Sequence, residues 1–156
     1  MNIAVSGCLL GYDLKYNGKN NRNDELLEIL RGHRVISVCP EVSGGLPIPR
    51  DPAERKGDRV ISCTGADVTG QYRKGTELAV RKIMDNGVKM AVLKAKSPSC
   101  GKDRIYDGTF SHTVISGDGT LAEALKAMGI TVFSEEETEE IRAYLAFNDT
   151  AGNGTI

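Results

Sequence analysis

The sequence contains no tryptophan, only three phenylalanines and only two histidines. A stacking platform for nucleic acid, which needs successive aromatic rings, therefore has little material. Nor is there an excess of charge of either sign: 20 Lys and Arg stand against 21 Asp and Glu, interspersed along the chain. Without a broad basic face, a nucleic acid polymer is not an expected partner. No apolar run approaches the ~18 residues of a membrane span, and MNIAVSGCLL at the start has neither a basic segment nor a small-residue cleavage site. No membrane partner is expected, and the chain reads as cytoplasmic. Four cysteines are too few and too widely spaced for a secreted disulfide scaffold, so they are thiols or metal ligands.

What is present is an alternation of strand and helix patterns in a chain of one-domain length. NIAVSG (2–7) and RVISV (34–38) read as strands, with a short helix between them capped by Asn23 and ended by Gly32. Pro40, Pro47, Pro49, Pro52 and the Gly44–Gly45 pair make helix or continuous strand unexpected over 39–58, which reads as a loop. DRVISCTGADVTG reads as a short ribbon with Cys63 as a small buried residue, and the following helix places Tyr72, Ala79, Val80 and Ile83 on one face. VKMAVLKA is a third core strand and ITVFS a fourth; between them lie a long irregular connection (96–119) with a small hairpin and a helix carrying Leu121, Ala124, Leu125 and Met128. Ser134 with Glu137 forms a capping box for a last helix. The expectation is an α/β fold: a single-domain, Rossmann-like, mostly parallel sheet with helices on both faces over 1–147, then a flexible tail at 148–156.

Cys8, Cys39 and Cys100 each follow a different core strand and abut a Gly or Pro turn. In a parallel sheet, such positions converge at the carboxyl edge, where these sheets bind ligands. Three thiolates there could hold a zinc ion with an open fourth position, or an iron–sulfur cluster with one iron left free. Soft sulfur donors disfavour a hard ion such as magnesium. His33 reads as a surface residue; His112, in the long connection, is a possible ligand without support from its neighbours.

The segments GCLLG (7–11), VCPEVSGGLPIPRDPAE (38–54), GADVTGQY (65–72) and LKAKSPSCGKDRIYDGTFS (93–111) together resemble the bacterial thiouracil desulfidase family, from Gly7 to about Phe133. The resemblance implies a 4Fe-4S cluster held by Cys8, Cys39 and Cys100, with one iron free to bind substrate sulfur. It further implies catalytic roles for Glu41, two positions past the second cysteine, and for Ser97, three before the third.

The residues suit that chemistry. A thiocarbonyl sulfur is soft and matches an open iron, while a nearby carboxylate can move the protons that hydrolysis requires. In CPE, Pro40 fixes the backbone between ligand and carboxylate, keeping Glu41 near the metal. Ser97 precedes a proline and is biased to an extended backbone that can present its hydroxyl. Arg50, Ser99 and Asp67 are candidate contacts for a small thiolated base, with Arg50 equally suited to pairing with Asp51 or Glu54. Asp67 and Tyr106–Asp107 could hydrogen-bond a pyrimidine edge, although Asx-turn roles explain both aspartates equally well, and Tyr106 and Asp107 are left unassigned. The competing readings are a non-catalytic iron–sulfur or zinc-binding module, and a metal-free cysteine hydrolase, the latter disfavoured because no histidine base sits beside a cysteine.

Overall fold

The computed structural model describes the backbone of residues 1–154 and the side chains of residues 1–148. In chain order the elements are β1 (Asn2–Ser6), α1 (Asp24–Ile29), β2 (Arg34–Val38), α2 (Pro40–Ser43), β3 (Ala53–Lys56), β4 (Arg59–Ser62) and α3 (Thr69–Asp85). There follow β5 (Met90–Leu93), β6 (Arg104–Tyr106), β7 (Val114–Ser116), α4 (Thr120–Ala127), β8 (Thr131–Ser134) and α5 (Thr138–Gly154). The expectation of a flexible tail falls, from residue 149 on, on side chains outside the described residues.

Four strands pair in parallel in the order β2-β1-β5-β8. The two central strands are apolar on both faces, as a sheet covered on both sides requires. Ala4, Ala91 and Leu93 pack with Ala79 and Ile83 of α3 and Leu121 and Leu125 of α4. Their neighbours Ile3, Val5, Met90 and Val92 face the other way, onto Leu26 of α1 and Ile141 and Leu145 of α5. Helices on both faces thus follow from the two-residue period of the strands. From β1 the chain moves outward to β2, and from β5 outward to β8 on the other side. The strand order therefore reverses between β1 and β5, where open α/β sheets form a crevice at their carboxyl ends.

Local signals account for the ends of the elements. Asn23 accepts a hydrogen bond from the Leu26 N–H at 3.0 Å, capping α1. Of the expected capping box one half forms, the Glu137 carboxylate accepting from the Ser134 N–H at 3.0 Å; the Ser134 hydroxyl takes the Glu136 N–H instead, and α5 begins only at Thr138. Met128 departs from its expected apolar face: α4 ends at Ala127, and the cap residue Met128 turns outward at 40% exposure.

The segment 39–58 is more ordered than a loop. Pro40 opens α2 because a proline at the first helical position sacrifices no intrahelical bond, and the extended Cys39 serves as its N-cap. Beyond Pro52 the chain is free to pair, and β3 runs antiparallel to β4. Cys63 is exposed, against the expectation of burial, because this ribbon alternates: Val60 and Ser62 face inward, so Cys63 points out. The hairpin expected in the long connection is formed by β6 and β7. Among the described residues, no helix is long and apolar enough to cross a membrane.

One packing contact fixes where α2 lies. A Cβ on Gly75 of α3 would stand 1.7 Å from the Pro40 carbonyl oxygen, and one on Gly44 would stand 2.0 Å from the Gln71 carbonyl oxygen. The two backbones touch at a distance that only glycine permits. Gly75→Ala is expected to lower the unfolding free energy by about 3 kcal/mol. Gly70→Ala on the same helix, where a Cβ meets nothing within 4 Å, should raise it by about 0.5 kcal/mol. Urea denaturation of the two variants checks the pair; equal stabilities would refute the contact.

Candidate active site at the carboxyl edge of the sheet

A cavity of about 610 Å³ opens at the carboxyl edge and is lined by Cys8, Cys39, Cys100, Glu41, Ser97 and Arg50 among others. That is a usual size for a small-molecule pocket. Cys8 lies in a 3-10 turn (Gly7–Leu10) directly after β1, its sulfur 3.6 Å from the Asn21 side-chain amide. Cys39 ends β2 and begins α2. Cys100 is buried beyond β5 in a turn closed by the Gly101 N–H on the Ser97 carbonyl at 2.8 Å. Three strands thus deliver three sulfurs to one space.

Glu41 is buried, with 8% exposure. The Ser99 hydroxyl donates to its Oε1 at 2.6 Å, and the Cys39 thiol lies 3.7 Å from Oε2. The buried Tyr72 hydroxyl lies near this carboxylate, and burial first and the Glu41 charge second push its pKa up. The Ser97 hydroxyl oxygen accepts from the N–H groups of Ser99 and Cys100 at 3.2 and 3.1 Å, and lies 3.1 Å from the Ser99 hydroxyl. With the Ser99 proton committed to the carboxylate, Ser97 is the donor in that last bond. The order is Ser97 to Ser99 to Glu41.

Ser99 is therefore corrected from a substrate contact to a support: it is fully buried, behind Ser97, and does not line the cavity. Asp67 is not at the cavity either. It caps the start of α3, accepting from the Thr69 N–H at 2.9 Å, and it pairs with Arg59. These donors hold its carboxyl at about 2, and it lines a separate polar hollow without thiols. Arg50 does line the cavity, but its guanidinium donates to the carbonyls of Leu14 (2.8 Å) and Pro47 (3.3 Å), not to Asp51 or Glu54. Lys102 pairs with Glu137 at 2.8 Å, away from the sulfurs.

Several lining residues had no role in the sequence reading. Lys94 immediately follows β5 and pairs with Glu135 at 3.6 Å. Tyr72 was legible only as part of an apolar helix face; the signal for more was that a buried tyrosine hydroxyl needs a polar partner. Tyr16, Tyr106 and Phe110 also border the cavity, as does His112, which the sequence offered only as a possible ligand.

Burial raises all three thiols. Cys39 is pushed up to about 11 by burial first and the Glu41 charge second. Cys100 is raised further by the same two causes; Cys8 is raised by burial, partly offset by Asn21 and Lys94. Ionising such thiols calls for a cationic centre, and an all-sulfur donor set suits iron–sulfur chemistry. Among the described residues, no three His, Cys, Asp or Glu side chains are close enough to enclose one ion. Three sulfurs that line one cavity are a donor set that suits an iron–sulfur cluster with one iron left without a protein ligand. The residues present fit a cluster.

A model of the 2-thiouracil desulfurase family matches residues 3–137. The chain belongs to that family. The uncharacterized protein YbbK of Bacillus subtilis (strain 168) is 34% identical over 149 residues, 89% of this chain and 99% of YbbK. A solved structure of the 4Fe-4S-dependent thiouracil desulfidase TudS is 42% identical, with a TM-score of 0.88 over 94% of this chain and 98% of its own. The family match over residues 3–137 includes all three cysteines of this desulfurase-family chain.

With the Cys39 value raised from 9.0 in the unfolded chain to about 11 in the fold, the unfolded state loses this proton first. Its contribution to stability is complete below pH 9 and declines between pH 9 and 11. In the metal-free protein at pH 8, iodoacetamide should label the exposed Cys63 and spare the other three; toward pH 11, Cys39 should react before the buried Cys100. Peptide mass spectrometry reads the order, and rapid labelling of Cys100 at pH 8 would contradict it.

Proposed function

We propose that this protein is a non-redox desulfidase that removes sulfur from a thiolated nucleobase of the thiouracil type, giving the oxo base and hydrosulfide. The observation that carries the reading is the convergence of Cys8, Cys39 and Cys100 with the buried Glu41 and with Ser97 on one cavity. It is supported by membership of the 2-thiouracil desulfurase family and by the likeness to TudS.

A 4Fe-4S cluster held by the three cysteines supplies, when bound, a Lewis-acidic iron without a protein ligand, soft enough to take a thiocarbonyl sulfur. The chain supplies the proton handling. Glu41 accepts a proton from the water that adds to the thiocarbonyl carbon, and its buried position keeps it near the Cys39 end of the site. Ser99 holds the carboxylate in place through its 2.6 Å bond. Ser97, at the cavity wall, can turn its proton from Ser99 toward a heteroatom of the substrate while its oxygen stays held by the Ser99 and Cys100 N–H groups. Arg50 sets a fixed positive charge that favours the Cys39 thiolate. Water thus replaces sulfur at carbon, the carbon–sulfur bond breaks with its electron pair on sulfur, Glu41 returns its proton to that sulfur so that hydrosulfide leaves, and no electrons are exchanged with an outside donor.

Anaerobic reconstitution with iron and sulfide should give a brown protein that releases sulfide from 2-thiouracil. Cys100→Ala should lose both iron and turnover. Glu41→Gln should keep its iron while turnover falls about 100- to 10,000-fold. Full turnover in Glu41→Gln would sink the mechanism, and a protein that binds the cluster without releasing sulfide would be a storage module.

A further inference from the structure

We infer that the tip of the β6–β7 hairpin, through Tyr106, Phe110 and His112, is the wall that recognises the flat ring of the substrate, with His112 bonding its polar edge. The inference rests on the desulfidase reading only for the identity of the ring. The sequence is poor in aromatics, with three Phe, five Tyr and no Trp. Yet four of these rings, Tyr16, Tyr72, Tyr106 and Phe110, line the one cavity that holds the thiols. Tyr72 lies near Glu41, and Tyr16 sits at the mouth with 44% exposure. That leaves the hairpin tip to supply flat surface.

The tip is held in an uncommon shape. Phe110 and His112 have φ of 56° and 60°, in the left-handed region that non-glycine residues seldom occupy and that marks functional constraint when observed. Two anchors maintain it. Glu54 Oε1 on β3 accepts the N–H groups of Gly108 and Phe110 at 3.0 and 3.2 Å. The Asp107 carboxylate accepts the N–H and hydroxyl of Thr109 at 2.9 and 2.6 Å. The Asp107 N–H donates to the Thr113 carbonyl at 3.0 Å, closing the tip.

The outcome is a preformed wall. His112 meets Tyr106 edge to face, with ring centroids 6.0 Å apart and planes at 81°. Among the described residues, its imidazole makes no hydrogen bond. An imidazole fixed at a cavity rim and free to donate or accept suits the carbonyl and N–H edge of a pyrimidine. A neighbouring phenyl face suits the ring itself, since stacking is indifferent to which base is present. Glu54 is then a positioning residue for the wall.

The test uses full-length metal-free protein titrated with uracil and with dihydrouracil, which keeps the polar edge but has lost the flat ring. NMR follows Tyr106, Phe110 and His112, and calorimetry gives the affinities. Wild type should prefer uracil by roughly tenfold, with shifts at all three residues. Phe110→Leu should erase that preference. His112→Gly keeps the left-handed backbone while deleting the ring, and should weaken both ligands together; His112→Asn, which tolerates this conformation and restores a donor and acceptor, should recover part of the loss. Glu54→Ala should weaken binding and Glu54→Gln, which retains an acceptor oxygen, should restore it. An unaltered preference in Phe110→Leu, or no response of the three residues to uracil, overturns the inference. Failure of the reconstituted wild type to release sulfide from 2-thiouracil, with the ring preference intact, would defeat the desulfidase reading and leave the wall standing.

Discussion

The hydrogen bond from Ser99 to Glu41 is the joint on which the site depends. It is buried, 2.6 Å long, and spans 58 positions of sequence. A carboxylate taken out of water costs several kcal/mol unless donors replace its hydration. Here Ser99 and the Cys39 thiol replace it. The same bond ties the loop that carries Cys39 to the loop that carries Cys100, so two of the three sulfurs are located relative to one another through a side chain that touches neither the cavity nor solvent. The Gly44–Gly75 contact makes this possible by letting α2 lie directly on α3, which brings Glu41 within reach.

Much of this was legible in the sequence because it depends on period and on position. Apolar runs bounded by turns gave the four parallel strands, and a parallel sheet necessarily gathers its carboxyl ends, so Cys8, Cys39 and Cys100 were recognisable as neighbours before any distance was known. What was missed depends on tertiary contact. Proline suggested a loop over 39–58, although a proline at the first helical position is compatible with a helix; only the packing of α2 on α3 decides between them. Ser97 and Ser99 have the same chemistry two positions apart. Which of them faces the cavity is set by the turn that Ser97 closes with its own hydroxyl. Asp67 looked equally fit to form an Asx turn or to bind a base, and its bond to the Thr69 N–H at the start of α3 is the turn.

Charge is distributed in keeping with sulfur ligation. The metal-free fold favours neutral thiols, since burial and the Glu41 charge both oppose a thiolate at Cys39 and Cys100. Two cations act in the opposite sense at separate sulfurs: Arg50 on Cys39, and Lys94 on Cys8. Each is itself restrained, Arg50 by two backbone carbonyls and Lys94 by Glu135. The positive charge is thus placed in advance, and loading a cluster requires the thiol protons to leave without requiring the loops to rearrange their counterions.

The two sides of the cavity owe their rigidity to different causes. The sulfur side is set by strands buried on both faces, so a shift there would disturb both cores. The hairpin side stands outside the main sheet: its base is anchored by the buried Ile105, which bridges to Lys96, and its tip by polar bonds to Glu54 and within itself. Changes in the hairpin can therefore alter which ring is accepted while leaving the thiols and Glu41 in place. Changes at the sheet edge cannot be confined in that way, because Cys39 and Glu41 share α2 with the contact that orders it. Recognition of the ring and handling of its sulfur are in this sense separable, and the division follows the boundary between the parallel sheet and its appended ribbon.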